Sequence, residues 1–206
     1  MAPRHGKALA HLRAADPVLG AWIDESGSCG WTRQNDGTHF DHIARSIVYQ
    51  QLSGAAAGTI YRRVLALYGG GNPTPAQLAK TPDETLRAAG LSGRKVEYIK
   101  DLARRTHEGS LAVERIHEMS DAEVIATLTS VRGIGEWTAQ MVLMFRLGRP
   151  DVLPVLDLGV QKAITMLYRL RALPTPERVA KIGARWAPYR TVASWYLWRR
   201  VDNPPQ

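Results

Sequence analysis

Cysteine is nearly absent from this chain: Cys29 is the only one in 206 residues. A lone thiol excludes a disulfide framework and a cysteine-built metal site, and it suits a reducing compartment. Long apolar runs are also missing. No stretch reaches 18 uncharged apolar residues, so no membrane span is expected. The opening MAPRHGKALAHLRAADP lacks the apolar core of a signal peptide, so secretion is not expected either. There is no convincing run of alternating strand residues, and the nearest candidate, 151–156, is interrupted by Pro154. Acidic residues are in the minority, Asp+Glu 19 against Lys+Arg 27, which leaves a net charge of +8. That balance fits a polyanion partner and fits equally a merely basic soluble protein. Arginine supplies most of the positive charge, and its planar fork favours phosphate oxygens.

What is present reads as helix. With 45% hydrophobic residues the chain can bury a core. Short helices are expected at 5–15 and 17–24, broken at Asp16-Pro17, followed by a glycine-bearing loop from Gly27 to Gly37. A helix from Thr38 places Phe40, Ile43, Ile47 and Val48 on one face and turns at Gln50-Gln51-Leu52-Ser53-Gly54. The next runs from Ala55 to Tyr68 and stops at Gly69-Gly70-Gly71. Thr74, Thr81 and Ser120 each stand three residues before Gln or Glu, the pattern of a capping box. Ser92 opens a helix to about Thr106. Further helices are expected near 120–130, 135–147, 158–170, 176–185 and 188–201. The fold class is all-α.

Two features carry chemistry. Val131-Arg132-Gly133-Ile134-Gly135 is a glycine turn between two apolar helical patterns. Glycine at 133 and 135 permits angles closed to other residues and lets the backbone approach another surface closely. The free N–H groups of the following helix would then suit a phosphate, with Arg132 beside them. The ordinary alternative is a tight turn between packed helices. The second feature is Asp157, a lone carboxylate in Leu153-Pro154-Val155-Leu156-Asp157-Leu158-Gly159. It suits a charge held in a partly dry place, and it equally suits the N-cap of the next helix.

Leu128 to Met141 resembles the helix-hairpin-helix of the DNA base-excision glycosylases, and Asp157 resembles that superfamily's catalytic aspartate. The chain is similar to the alkylated-base branch, the 3-methyladenine-DNA glycosylase II type. The resemblance is carried by IARSIVYQQLSGAA (43–56), LRAAGLSGRK (86–95), VRGIGEWTAQMVLMF (131–145), RPDVLPVLDLGV (149–160) and WAPYRTVASWYLW (186–198). It implies two helical lobes with a DNA-binding cleft: a central lobe at 39–149 with the hairpin, and a second lobe of 1–38 plus 150–206 with the catalytic aspartate. It implies a compact form without the N-terminal β domain of some larger relatives.

The implied activity is that of a monofunctional glycosylase. It excises alkylated purines of the 3-methyladenine and 7-methylguanine type from duplex DNA, by base flipping and hydrolysis. Asp157 would be catalytic. Trp137, Trp198 and Met141 would line the base pocket, although Met141 stands where a relative carries an aromatic. Arg132, Gly133, Ile134, Gly135 and Thr138 would meet the DNA backbone. Gln51, with Gln50, Leu52 and Ser53, would supply the wedge that fills the gap left by the flipped base. Bifunctional relatives carry lysine where this chain has Trp137, so no lyase chemistry is expected. The resemblance also implies a monovalent cation, sodium or potassium, on the backbone carbonyls of Thr129, Val131 and Gly133. No other cofactor is implied, and with Cys29 alone no iron–sulfur cluster. The implied partner is double-stranded DNA with alkylated bases. The protein would be a monomer, in the cytoplasm of a bacterium or the nucleus of a eukaryote.

Other readings compete. The chain is alternatively a catalytically silent hairpin DNA-binding protein, or a glycosylase for other damaged bases. His39 and His42 share a helix face but lack a third zinc ligand nearby. Arg62-Arg63, Arg104-Arg105 and Arg199-Arg200 read as solvated faces. Asp151 and Glu136 become catalytic candidates only if Asp157 is not.

Overall fold

The computed structural model of the chain describes residues 5–202. Among them every regular element is helical: α1 (Gly6–Ala15), α2 (Pro17–Ser26), α3 (His39–Tyr49), α4 (Gly54–Ala66), α5 (Pro75–Lys80), α6 (Asp83–Ala88), α7 (Gly93–His107), α8 (Asp121–Thr129), α9 (Glu136–Met141), α10 (Leu158–Leu167), α11 (Pro176–Gly183) and α12 (Arg190–Asp202). Tighter turns cover Val113–Glu118 and Ala184–Trp186. A wide π-helical turn carries α9 onward through Val142–Leu147, where a single α-helix over 135–147 was expected. The all-α expectation holds among the described residues.

The helix starts follow the side-chain chemistry. Thr74 and Ser120 each form a reciprocal capping box, with Gln77 and Glu123. Thr38 forms a third with Asp41, which the sequence reading passed over. Thr81 does not cap. The α6 N-cap is Pro82, and the Thr81 hydroxyl donates to the Gln77 carbonyl and meets the Tyr68 hydroxyl instead.

The chain forms two compact units, 34–142 and 1–33 with 143–206. Both boundaries fall earlier than the 38/39 and 149/150 positions read from the sequence. In unit 34–142, α7 is the central rod: Val96, Ile99, Leu102 and Ala103 are buried, and it packs against α3, α5 and α6. The other faces of α7 carry polar groups, among them Lys95, Asp101 and Arg105.

The other unit is built on α1, α2, α10, α11 and α12, around Leu12, Leu19, Ile23, Ile164, Trp186, Tyr196 and Leu197. Asp16, between α1 and α2, is a charge inside this core, only 1% exposed. One oxygen caps α2 by accepting from the Val18 and Leu19 amides at 3.1 and 3.2 Å. The other accepts from the Trp186 indole at 2.9 Å and from the Tyr168 hydroxyl. Burial, then this bond to the carboxylate, pushes the Tyr168 phenol well above the usual tyrosine range.

The segment leading to Asp157 is laced to the start of α12. Thr191 donates its hydroxyl to the Arg149 carbonyl at 2.7 Å and accepts the Val152 amide at 3.0 Å. Arg190 forks onto Asp151, Nε to Oδ1 at 2.7 Å and a terminal nitrogen to Oδ2 at 2.8 Å. The Arg190 hydrogen bonds hold the Asp151 carboxyl below the usual carboxylate range, against an opposing effect of burial. A depressed carboxylate contributes stability that is present above its unfolded value and lost as pH falls through the folded one. The unfolded value lies at about 3.9. The melting-temperature gap between the native chain and Asp151→Asn is therefore expected to be full at pH 6 and to close below about pH 4. A gap unchanged between pH 6 and pH 3 would show that the ion pair is not its source.

Candidate active site

In unit 34–142 the hairpin joins α8 to α9. Val131 and Ile134 anchor it, 2% and 4% exposed. Gly133 has φ +75°, and a Cβ there would overlap the Tyr98 ring, so conformation and space both require glycine. Gly135 does not use that freedom. Its φ of −91° is open to any residue, and nothing crowds a Cβ built on it. Its missing side chain leaves the backbone bare at the start of α9, which has no side-chain cap. Arg132 is exposed. Ile134 and Thr138 are buried, so neither side chain is freely exposed at the surface of the turn.

The hairpin is clamped by one face of α7. Besides Tyr98 under Gly133, Asp101 accepts the Arg132 amide at 3.2 Å. Arg105 donates to the Ser130 carbonyl at 2.7 Å and to its hydroxyl at 3.1 Å. Arg105 is therefore a structural clamp rather than part of a solvated face. Its neighbour Arg104 is tied to Asp101 and Glu108. Residues 98, 101 and 105 recur at helical spacing, so the stripe was visible in the sequence. Nothing local said what it would hold.

The loop 50–53 divides its labour. Ser53 caps α4 by accepting the Ala56 amide at 3.3 Å. Gln50 turns inward, with Nε2 donating to the Gly133 carbonyl at 3.0 Å and lying 3.4 Å from the Thr138 hydroxyl. Gln51 and Leu52 project outward, Gln51 in the left-handed region at φ +58° and Leu52 41% exposed. Lys95 donates to the carbonyls of Val48 and Gln50, each at 2.7 Å, and closes the end of α3. Burial lowers its ammonium pKa. The sequence reading missed this role.

Beside the loop lies a recess of about 280 Å³ lined by Ser46, Tyr49, Gln50, Gln51, Leu52, Trp137, Thr138 and Met141. It brings together two of the three expected pocket residues. Trp137 is 45% exposed, so it is not an ordinary core tryptophan. Tyr49 and Ser46 join the lining without having been singled out.

The third expected pocket residue, Trp198, lies in the other unit with Asp157. Asp157 is half-buried, between Leu156 and Leu158, which are 60% and 52% exposed. Its Oδ1 caps α10 by accepting the Val160 amide and also accepts the Trp198 indole N–H, both at 2.8 Å. Phe145 stacks on Trp198 with centroids 6.1 Å apart. Gly159 makes room for this pair: a Cβ there would lie 2.9 Å from the indole and 3.0 Å from Asp157 Oδ1.

Residues 44–188 match the HhH-GPD superfamily of base excision DNA repair proteins. The chain belongs to this superfamily. Over 162 residues it is 37% identical to DNA-3-methyladenine glycosylase 1 of Schizosaccharomyces pombe, covering 78% of this chain and 71% of that one. Among solved structures it is similar to the S. pombe 3-methyladenine DNA glycosylase in complex with abasic DNA. The TM-score is 0.85 at 33% identity, covering 96% and 98% of the two chains. It is similar also to a Bacillus halodurans DNA-3-methyladenine glycosidase, with a TM-score of 0.82 at 39% identity, covering 94% and 88%.

The remaining candidates have ordinary places in this HhH-GPD chain. His42 meets Gln34 at 2.7 Å, and the His39 ring packs against His117. No group of three or more metal-binding side chains occurs among the described residues. Glu136 accepts from Gln140 within α9. No helix among the described residues is long and apolar enough to cross a membrane.

Proposed function

We propose that this HhH-GPD chain is a monofunctional DNA glycosylase that releases alkylated purines from duplex DNA by base flipping and hydrolysis of the N-glycosidic bond. The observation that carries this reading is the recess built on exposed Trp137, with Tyr49 and Met141 beside it. Alkylation at a ring nitrogen makes a purine cationic, and a cation is drawn to the face of an indole. Such a base is already a good leaving group and needs little acid catalysis.

As the bond breaks, the sugar gains oxocarbenium character. Asp157 then stabilises the developing charge and positions or deprotonates the attacking water. With Trp137 where a lyase has lysine, water is the nucleophile and an abasic site the product. The backbone at Gly133–Gly135, with Arg132, grips phosphate, and Gln51 with Leu52 fills the vacated stack. Carbonyls of Thr129, Val131 and Gly133 are neutral oxygen donors that suit sodium or potassium. The Gln50 amide occupies one lone pair of the Gly133 carbonyl, and the second remains for the ion. A bound ion would hold the turn in shape. The protein acts as a monomer wherever the chromosome is.

Trp198 serves this mechanism by orienting Asp157. A Trp198→Phe variant keeps a ring and loses the N–H. A hydrogen bond to a charged group is worth about 1.5–3 kcal/mol, so single-turnover release should slow roughly 10- to 100-fold. Affinity for an abasic duplex should hold. If affinity falls while the rate holds, the indole is a binding surface instead.

A panel of duplexes carrying one lesion each tests the proposal. Release of 3-methyladenine and 7-methylguanine, with intact oxidised and mismatched bases, is the expected result. Release confined to oxidised or mismatched bases would assign the site to other lesions. Salt-sensitive binding with no release from any duplex would leave the silent binding protein.

A further inference from the structure

The loop and the hairpin of unit 34–142 meet in one side chain. Gln50 begins the loop, and its amide nitrogen donates to the carbonyl of Gly133 at 3.0 Å. That carbonyl is acceptor-only, so the NH₂ end must face it. The backbone of Gln50 is held separately, its carbonyl and that of Val48 sharing the Lys95 ammonium at 2.7 Å. The next residue, Gln51, sits at φ +58°, a left-handed conformation that strains a non-glycine residue. Such strain persists only where the surroundings hold it. Here the hold is Lys95 behind and Gln50 across.

We infer that Gln50 is not part of the wedge but a positioning residue that couples phosphate capture at the hairpin to insertion of Gln51 and Leu52. This rests on the glycosylase reading above. The Gly133 carbonyl stands within the turn whose backbone faces phosphate. A turn fixed by DNA fixes Gln50, and Gln50 fixes the residue that enters the stack. Without the amide donor the hairpin still grips DNA, but the wedge is no longer held at a set distance from it.

Gln50→Met keeps length and neutrality and removes the donor. Three quantities are measured for the native chain, Gln50→Met, Gln51→Ala/Leu52→Ala, and the triple variant. They are melting temperature, affinity for a duplex with a stable abasic analogue, and single-turnover release of 3-methyladenine. Gln50→Met is expected to melt within a few degrees of the native chain and bind the abasic duplex within about threefold, while release slows at least about tenfold. In the triple variant, Gln50→Met should add less than about twofold to the loss already caused by removing the wedge, because coupled residues are not additive.

Equal losses from Gln50→Met with and without the wedge would overturn the coupling, as would native-like release by the single variant. A loss that follows melting temperature would reduce Gln50 to a stability role and overturn it too. Lys95→Met is a second probe of the same hold and should give the same split; unaltered release there would count against it. If the native chain releases no methylated base, the glycosylase reading fails first, and the coupling falls with it.

Discussion

Asp157→Asn is expected to abolish base release while the protein still folds and binds duplex DNA. Asparagine is a good N-cap, and its carbonyl oxygen accepts from the Val160 amide and the Trp198 indole as the carboxylate does. What disappears is the negative charge that the proposed mechanism sets against the developing oxocarbenium ion. Removing a positioned group that stabilises transition-state charge costs on the order of 10²–10³-fold, and losing the base that handles water adds to this. Single-turnover release of a methylated base should fall by at least about 10²-fold, with affinity for an abasic duplex and its salt dependence retained. Release within a fewfold of native would remove Asp157 from the chemistry. Asp151 and Glu136 do not compete well for the role: Arg190 holds the first and Gln140 meets the second.

The largest effect on stability is expected at Asp16. Asp16→Ala deletes the acceptor for two backbone amides, the Trp186 indole and the Tyr168 hydroxyl, at a site 1% exposed. Each buried donor left unpaired costs about 1–3 kcal/mol before relaxation. A domain has only about 5–15 kcal/mol to lose. Urea unfolding should show a large drop in midpoint with the slope preserved. Asp16→Asn should fall between, since it keeps one acceptor but turns an NH₂ toward groups that are themselves donors. A loss under about 1 kcal/mol for the alanine variant would mean that water or repacking satisfies these donors.

The helices were legible in the sequence because each carries its own signals: apolar spacing, and Thr74 or Ser120 before a Gln or Glu. Thr81 failed as a cap because the same pattern also lets a hydroxyl bond back to the preceding turn. The glycine turn was legible, but the reason for each glycine was not. Gly133 is required by the Tyr98 ring, far away in sequence, whereas Gly135 adopts an unremarkable extended angle.

Side-chain roles set by tertiary partners were the least legible. The expected wedge comprised Gln50, Gln51, Leu52 and Ser53. Gln51 and Leu52 are exposed, whereas Ser53, exposed as well, caps a helix and Gln50 reaches the hairpin. The bond from the Trp198 indole to Asp157 joins residues 41 positions apart and had no local signal. Asp16 looked like a simple helix break before Pro17, since its partners Tyr168 and Trp186 lie at the other end of the chain. By contrast, the exposure of Trp137 sets it apart from an ordinary core tryptophan, which no local sequence signal decides.

The most direct test of the account is to incubate the native chain with a duplex methylated at adenine N3 and follow both products. The account predicts free 3-methyladenine together with a strand that stays whole until treated with hot alkali, the signature of hydrolysis to an abasic site. No free base, or a strand nicked without alkali, would contradict it.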